Sequence, residues 1–275
     1  MPWAMSSRTV FFISDRTGIT AENLGNSLLS QFEGIDFVRV RLPFIDTMDK
    51  AKAAVEQINQ VSEKEKMPAL VFSTQITPAY RDLIQQNNCI FFDFFDTFIS
   101  HLEKTLDLKS SHSVGRLHAP GDSSNYNNRI DNINFTLNSD DGLGLKYYDQ
   151  ADVVLIGVSR SGKTPSCLFM ALQYGIKAAN YPLLEEDLYN PKLPDVLEPY
   201  QNKLFALTIN PTRLHKIRNT RKSNSNYASL QQCQSEVRRA EDIYRNNQIA
   251  FLDTTQMSIE EISAKIIAHL ASQNN

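Results

Sequence analysis

Val153-Val154-Leu155-Ile156-Gly157-Val158-Ser159-Arg160-Ser161-Gly162-Lys163-Thr164 is the stretch that decides how this 275-residue chain is read. Four consecutive apolar residues predict a short buried strand. The octapeptide that follows, Gly157 to Thr164, has the form G-x-x-x-x-G-K-[ST]. In such a loop successive backbone N–H groups converge on a phosphate. The lysine brings a fixed positive charge to the terminal phosphates, and the hydroxyl residue is placed to ligate Mg²⁺. We therefore read Gly157, Val158, Ser159, Arg160, Ser161, Gly162, Lys163 and Thr164 as nucleotide-binding, Lys163 also as catalytic, and Thr164 as the metal ligand. Cys167 to Gln173 continues as a helix whose N-terminus adds a partial positive charge beneath the phosphates. Pro165 suits a first helical turn, where a missing N–H costs nothing. A chance match in a Gly/Ser-rich loop is the alternative, and the flanking strand and helix speak against it.

Working outward toward the C-terminus, strands are expected at 177–179, 204–209 and 250–253, and helices at 227–244 and 258–270. Ser258 and Glu261 would form a capping box. Toward the N-terminus, strands at 9–13, 36–42, 69–74 and 89–92 alternate with helices at 20–30, 48–62, 78–86 and 94–104, a β-α-β-α rhythm that predicts a parallel sheet. Residues 91–98, rich in Phe, are expected in the core. The fold class is α/β. An N-terminal α/β domain with a mainly parallel sheet (1–108) is followed by a structured connecting segment (109–145) and a P-loop kinase-like nucleotide-binding α/β domain (146–275). The connecting segment is rich in Ser, Asn, Gly and Asp, with a helix at 129–137; a flexible linker is the alternative on composition alone. No internal repeat is apparent.

Bulk properties narrow the function. A formal net charge of −3 argues against nonspecific nucleic-acid binding. No apolar run approaches the length of a membrane span. Three distant cysteines without a C-x-x-C pair suit a reducing compartment. With no signal-peptide pattern at the N-terminus, the expectation is a cytoplasmic protein.

Asp15 ends the first strand, where α/β sheets bind their ligands. It is read as a catalytic residue, taking the acceptor's proton or holding Mg²⁺ in a site between the domains; capping the next helix is the alternative. Thr17, Gly18 and Thr20 lie at that helix's N-terminus. Arg213, Arg218 and Arg221 follow the strand at 204–209 and suit closure over phosphates, Arg213 as a catalytic residue, because the guanidinium fork matches phosphate oxygens; a solvated basic helix is the alternative. Arg116, His118, Arg129, Asp140 and Asp141 lie in the connecting segment, and Glu185, Glu186 and Asp187 read as a solvated acidic run or a Mg²⁺ contact.

Several stretches carry a resemblance over residues 8–270: F-F-I-S-D-R-T-G-I-T-A-E (Phe11–Glu22), G-V-S-R-S-G-K-T-P (Gly157–Pro165), A-A-N-Y-P (Ala178–Pro182), L-T-I-N-P-T-R-L (Leu207–Leu214) and Y-A-S-L (Tyr227–Leu230). In this order they resemble the bacterial phosphoenolpyruvate synthase regulatory proteins, bifunctional kinase/pyrophosphorylases related to the plant regulator of pyruvate, phosphate dikinase. The resemblance implies an ADP-dependent phosphorylation that inactivates the partner phosphoenolpyruvate synthase (pyruvate, water dikinase) at a threonine near its catalytic histidine. It also implies that the synthase is recognised with that histidine phosphorylated, and that inorganic phosphate removes the threonine's phosphoryl group, releasing pyrophosphate. ADP, inorganic phosphate and Mg²⁺ are the implied cofactors. Ser139 stands where the family usually has a histidine before D-D-G, and Gly162 where many members have another small residue.

Two other classes compete. A P-loop small-metabolite kinase with an accessory domain explains the second domain and leaves the first without work; a folded protein acceptor gives that surface a use. A nucleotide-driven switch expects an N-K-x-D base-reading motif, which the sequence lacks. A homodimer is the base-rate expectation for assembly.

Overall fold

The computed structural model describes residues 7–111, 123–223 and 225–273. The chain divides into two compact units, 1–120 and 121–275. The first runs β1 (Arg8–Ile13), α1 (Ile19–Leu29), β2 (Phe37–Leu42), α2 (Met48–Glu65), β3 (Ala69–Ser73), α3 (Pro78–Gln85), β4 (Cys89–Asp93) and α4 (Phe94–Leu106). All pairings are parallel, in the order β2-β1-β3-β4. Central β1 is apolar without alternation because both its faces are covered. Phe11 and Ile13 pack with Ala51, Ala54 and Ile58 of α2, while Val10 and Phe12 pack with Ala21, Leu29, Phe72 and Phe94 on the other face. Gly25 lets α1 sit close to the sheet: a Cβ there would come within 2.5 Å of the Phe12 ring.

The aromatic run at 91–98 is only partly core. Phe94 is buried and stacks on Phe72 with centroids 5.5 Å apart. Phe92 and Phe98 are exposed instead. Phe98, Leu102 and Leu106 recur every four residues, so they form one stripe on α4, and that stripe faces outward.

The second unit runs α5 (Ser123–Asn138), β5 (Val153–Gly157), α6 (Lys163–Tyr174), β6 (Ala178–Pro182), β7 (Leu204–Thr208), α7 (Pro211–Arg221), α8 (Leu230–Asn246), β8 (Phe251–Asp253) and α9 (Ile259–Gln273). Its sheet is parallel, in the order β6-β5-β7-β8. Every residue of β5 is buried. Val153 and Leu155 pack with Met170, Phe205 and Ile266, whereas Val154 and Ile156 pack with Leu197, Ala206 and Ile243. The helix expected at 129–137 is longer and packs on α6 and β6. The capping box forms: Glu261 N–H donates to Ser258 Oγ (3.2 Å) and Ser258 N–H to Glu261 Oε2 (2.8 Å). The helix expected from Tyr227 starts later, because the Ser229 hydroxyl caps it by accepting from Gln232 N–H. Asn226–Ala228 is a 3₁₀ turn ahead of the cap.

The expectation of no internal repeat is corrected here. Both sheets have the same strand order, and in both the first strand connects to its helix through five residues, 14–18 and 158–162. Position by position, Asp15-Arg16-Thr17-Gly18-Ile19-Thr20 matches Ser159-Arg160-Ser161-Gly162-Lys163-Thr164. Gly18 and Gly162 cap their helices in the left-handed region, with φ of 75° and 99°. A six-residue similarity is too short to stand out from a sequence; equal topology is what gives it meaning. In each unit the loop lies at the carboxyl edge where the strand order reverses, the place at which open α/β sheets hold ligands.

Candidate active site

The loop after β5 owes its path to two glycines. At Gly157 a Cβ would lie 2.6 Å from the Leu207 carbonyl oxygen, so no other residue fits between β5 and β7. Gly162 supplies the positive φ that turns the chain into α6. The Ser161 carbonyl accepts from Thr254 Oγ1 (3.0 Å), which ties the loop to the end of β8.

Lys163 is buried, and its Nζ donates to the carbonyls of Gly157 (2.8 Å) and Val158 (3.0 Å) in its own loop. Burial pushes its pKa down from 10.5 to about 8, against the pull of the Asp141 and Asp140 carboxylates. Its head therefore rests at the Gly157–Ser159 end of the loop. Thr164 Oγ1 donates to Asp140 Oδ1 at 2.8 Å. Asn180, fully buried on β6, donates its side-chain amide to the same oxygen. The Asn180 side-chain oxygen accepts from Asp141 N–H (3.2 Å), and its backbone carbonyl from Gly142 N–H (3.0 Å) and Tyr148 OH (2.8 Å). A-A-N-Y-P is thus the frame that seats the D-D-G triplet against the loop, and Ser139 is fully buried behind it.

Asp140 is the site residue whose role the sequence reading did not assign. It lies 24 residues before Thr164, outside any strand, with no local spacing to connect the two. A carboxylate bonded to the hydroxyl of a G-K-[ST] turn is the pairing that holds Mg²⁺ in P-loop proteins. Thr164 and Asp140 offer two hard oxygen ligands, which fits an ion that keeps most of its waters. Among the described residues no cluster of three or more His, Cys, Asp or Glu could hold a metal.

The arginines divide. Arg213 is exposed on the first turn of α7. Arg218 is fully buried and turned inward. It donates to Ser159 O (3.1 Å), Tyr227 O (3.0 Å) and Glu236 Oε2 (2.6 Å), and its guanidinium lies 4.1 Å from the Tyr227 ring centroid. It therefore braces the loop from behind, where a solvated basic helix or a phosphate cover had been expected. Arg160 is exposed with φ 75°. Ser159 Oγ lies 2.9 Å from Tyr227 OH.

Asp15 lies in the first unit, buried; it accepts from Ile76 N–H (3.4 Å) and Ser14 Oγ–H (3.4 Å), and burial raises its pKa. It does not cap α1, where Gly18 holds the cap without a side-chain bond. Arg129 is exposed and lines a polar cavity with Gly175 and Lys177, at the end of α6 away from Thr164. Asp187 accepts from Leu184 N–H (2.8 Å), and Glu185 from Tyr189 OH (3.0 Å), so these two members of the acidic run bind their own turn. Arg116 and His118 lie outside the described residues.

Fold and site define a class: a two-unit parallel α/β protein with a G-x-x-x-x-G-K-T turn at the mouth of its second sheet, beside a carboxylate. The family model described as kinase/pyrophosphorylase matches residues 10–267, and the chain belongs to that family. It is 54% identical over 260 residues to a protein of Pseudomonas aeruginosa (strain LESB58), covering 94% of this chain and 95% of the relative. A Stutzerimonas stutzeri (strain A1501) relative is 52% identical over 260 residues (94% and 96%). One from Laribacter hongkongensis (strain HLHK9) is 51% identical over 263 residues (95% and 96%). All three are provisionally named phosphoenolpyruvate synthase regulatory protein. No helix among the described residues is long and apolar enough to cross a membrane.

Proposed function

We propose that this chain regulates a phosphoenolpyruvate synthase in the cytoplasm by reversible phosphorylation of a threonine. In the forward direction the threonine hydroxyl attacks the β-phosphoryl group of ADP. The bond to the bridging oxygen breaks, AMP leaves, and the hydroxyl proton passes to a carboxylate, for which Asp15 is the candidate. In the reverse direction inorganic phosphate attacks the phosphothreonine, and pyrophosphate leaves as the threonine oxygen regains a proton. The relatives' names give the target. The observation that carries phosphoryl chemistry is the Thr164–Asp140 bond beside Lys163.

The residues divide the work. Loop N–H groups from Ser159 to Gly162 cradle phosphate oxygens. Lys163 leaves its own carbonyls to meet the transferred group, where charge spreads over the equatorial oxygens. Thr164 and Asp140 would hold Mg²⁺, which would supply neutralising charge to the phosphates. Arg213, exposed on α7, is the candidate to close over them. An ADP donor is favoured if the closed cradle lacks room for a third phosphate, since a missing cavity excludes more strongly than a lost contact.

The test incubates the protein and phosphohistidine-form synthase with β-labelled ADP or with γ-labelled ATP, each free of the other. Label on threonine from ADP is expected, followed by pyrophosphate release on adding phosphate. Asp140→Asn should abolish the Mg²⁺ dependence and most of the rate. Label from ATP alone would indicate an ordinary protein kinase. Label on neither would favour a small-metabolite kinase.

A further inference from the structure

The Y-A-S-L stretch finds its place beside the loop. Tyr227 sits in the 3₁₀ turn before α8, with its hydroxyl on Ser159 Oγ and its ring on the buried Arg218 guanidinium. In front of this group a cavity of about 340 Å³ opens, lined by Ser159, Leu183, Leu184, Arg218, Tyr227 and Glu236 among others. A second cavity of about 110 Å³, lined by Leu188, Tyr189, Ser235 and Arg239, shares Glu185, Gln232 and Glu236 with the first. Together they form one groove that starts at the phosphate loop and runs outward between the 183–189 segment and α8.

The resting position of Lys163 tells which end of the loop this is. The lysine reaches the terminal phosphate in loops of this kind. Its Nζ lies on Gly157 O and Val158 O, next to Ser159 in the chain. A groove that starts at Ser159 is therefore on the side of the transferred phosphoryl group, where the acceptor must arrive in line. The groove walls mix three leucines with hydroxyl, amide and carboxylate groups, the lining that satisfies a polypeptide's N–H and C=O groups while burying a side chain. Arg218, wholly buried, lines the same cavity, and its Nε has no hydrogen-bond partner among the described residues.

We propose that this groove receives the acceptor as an extended polypeptide segment, with the hydroxyl-bearing residue in the larger cavity and Tyr227 positioning its inner wall. The proposal rests on the protein-kinase reading above. Leu184, exposed at the rim, can be enlarged without entering the core; Leu184→Trp fills the cavity, and Tyr227→Phe removes only the hydroxyl on Ser159. Initial rates with purified synthase as varied substrate, and ADP affinity by titration calorimetry, are measured for both variants. Leu184→Trp is expected to raise KM for the synthase by at least about tenfold, with ADP affinity within about twofold. Tyr227→Phe is expected to lower kcat for transfer while leaving ADP affinity the same. An unchanged KM in Leu184→Trp, or a loss of ADP affinity in its place, overturns the groove assignment, the latter by making the cavity a nucleoside pocket. Failure of the wild-type protein to label the synthase overturns the protein-kinase reading itself, and the groove assignment with it.

Discussion

At the scale of single residues, Lys163 has the most to say about conditions. Its side chain is buried on two carbonyls, with a pKa lowered by desolvation to about 8. Between pH 8 and 10.5 the unfolded chain binds more protons at this position than the folded one. Stability of the ligand-free protein therefore gains from this group as pH rises through that window, and burial of the charge is unfavourable below it. A phosphate reverses the balance by favouring the ammonium form, so binding above pH 8 takes up a proton. ADP affinity is expected to fall above pH 8, by up to about tenfold per pH unit. Calorimetry in buffers of different ionisation enthalpy reads the proton uptake directly; a pH-independent affinity from 7 to 9.5 would refute it. Lys163→Ala should lose both the affinity and this pH dependence.

Among elements, α1 shows packing overruling propensity. Gly25 stands inside a helix, where alanine would be favoured by about 1 kcal/mol. Its missing Cβ makes room for the Phe12 ring, which is wholly buried and 5.9 Å from Phe72 by centroid. Gly25→Ala is expected to destabilise the protein on balance, since overpacking costs about 1–3 kcal/mol, and a lower urea midpoint at unchanged m-value would show it. A sequence shows a glycine in a helix but not the ring it faces. The same limit separates what was legible here from what was not. The strand–loop–helix at 153–175 could be read because its signals are local: an apolar run, two glycines and a lysine. The D-D-G triplet could not be tied to Thr164, because it is seated by Asn180 of β6, a residue 40 positions from Asp140 in sequence. The inward turn of Arg218 was hidden for a related reason. Its buried neighbour one turn earlier, Leu214, marks the inner face of α7, yet arginine rarely occupies such a face without a partner, and Glu236 lies on another helix.

For the whole molecule, the question is why a chain with one lysine loop carries two sheets. The first unit repeats the topology of the second, and its loop puts the buried Asp15 at the position of Ser159 and the exposed Ile19 at that of Lys163. Without the lysine, and with the Asp15 carboxylate within it, that loop is unsuited to nucleotide phosphates. Asp15→Asn is expected to leave ADP affinity unchanged and to slow transfer to the synthase by ~10²–10⁴, the range for loss of a general base. Single-turnover rates beside a binding isotherm separate the two quantities. An unchanged rate would confine the first unit to recognition.

The matching loops also bear on how far apart two functions lie in sequence space. Scaffold and chemistry are encoded separately here: connection length, capping glycine and strand order are held in common, and the difference rests on very few side chains. Ile19 against Lys163 and Asp15 against Ser159 are the main ones. A lineage could cross from one loop to the other through a handful of codons without rebuilding either sheet.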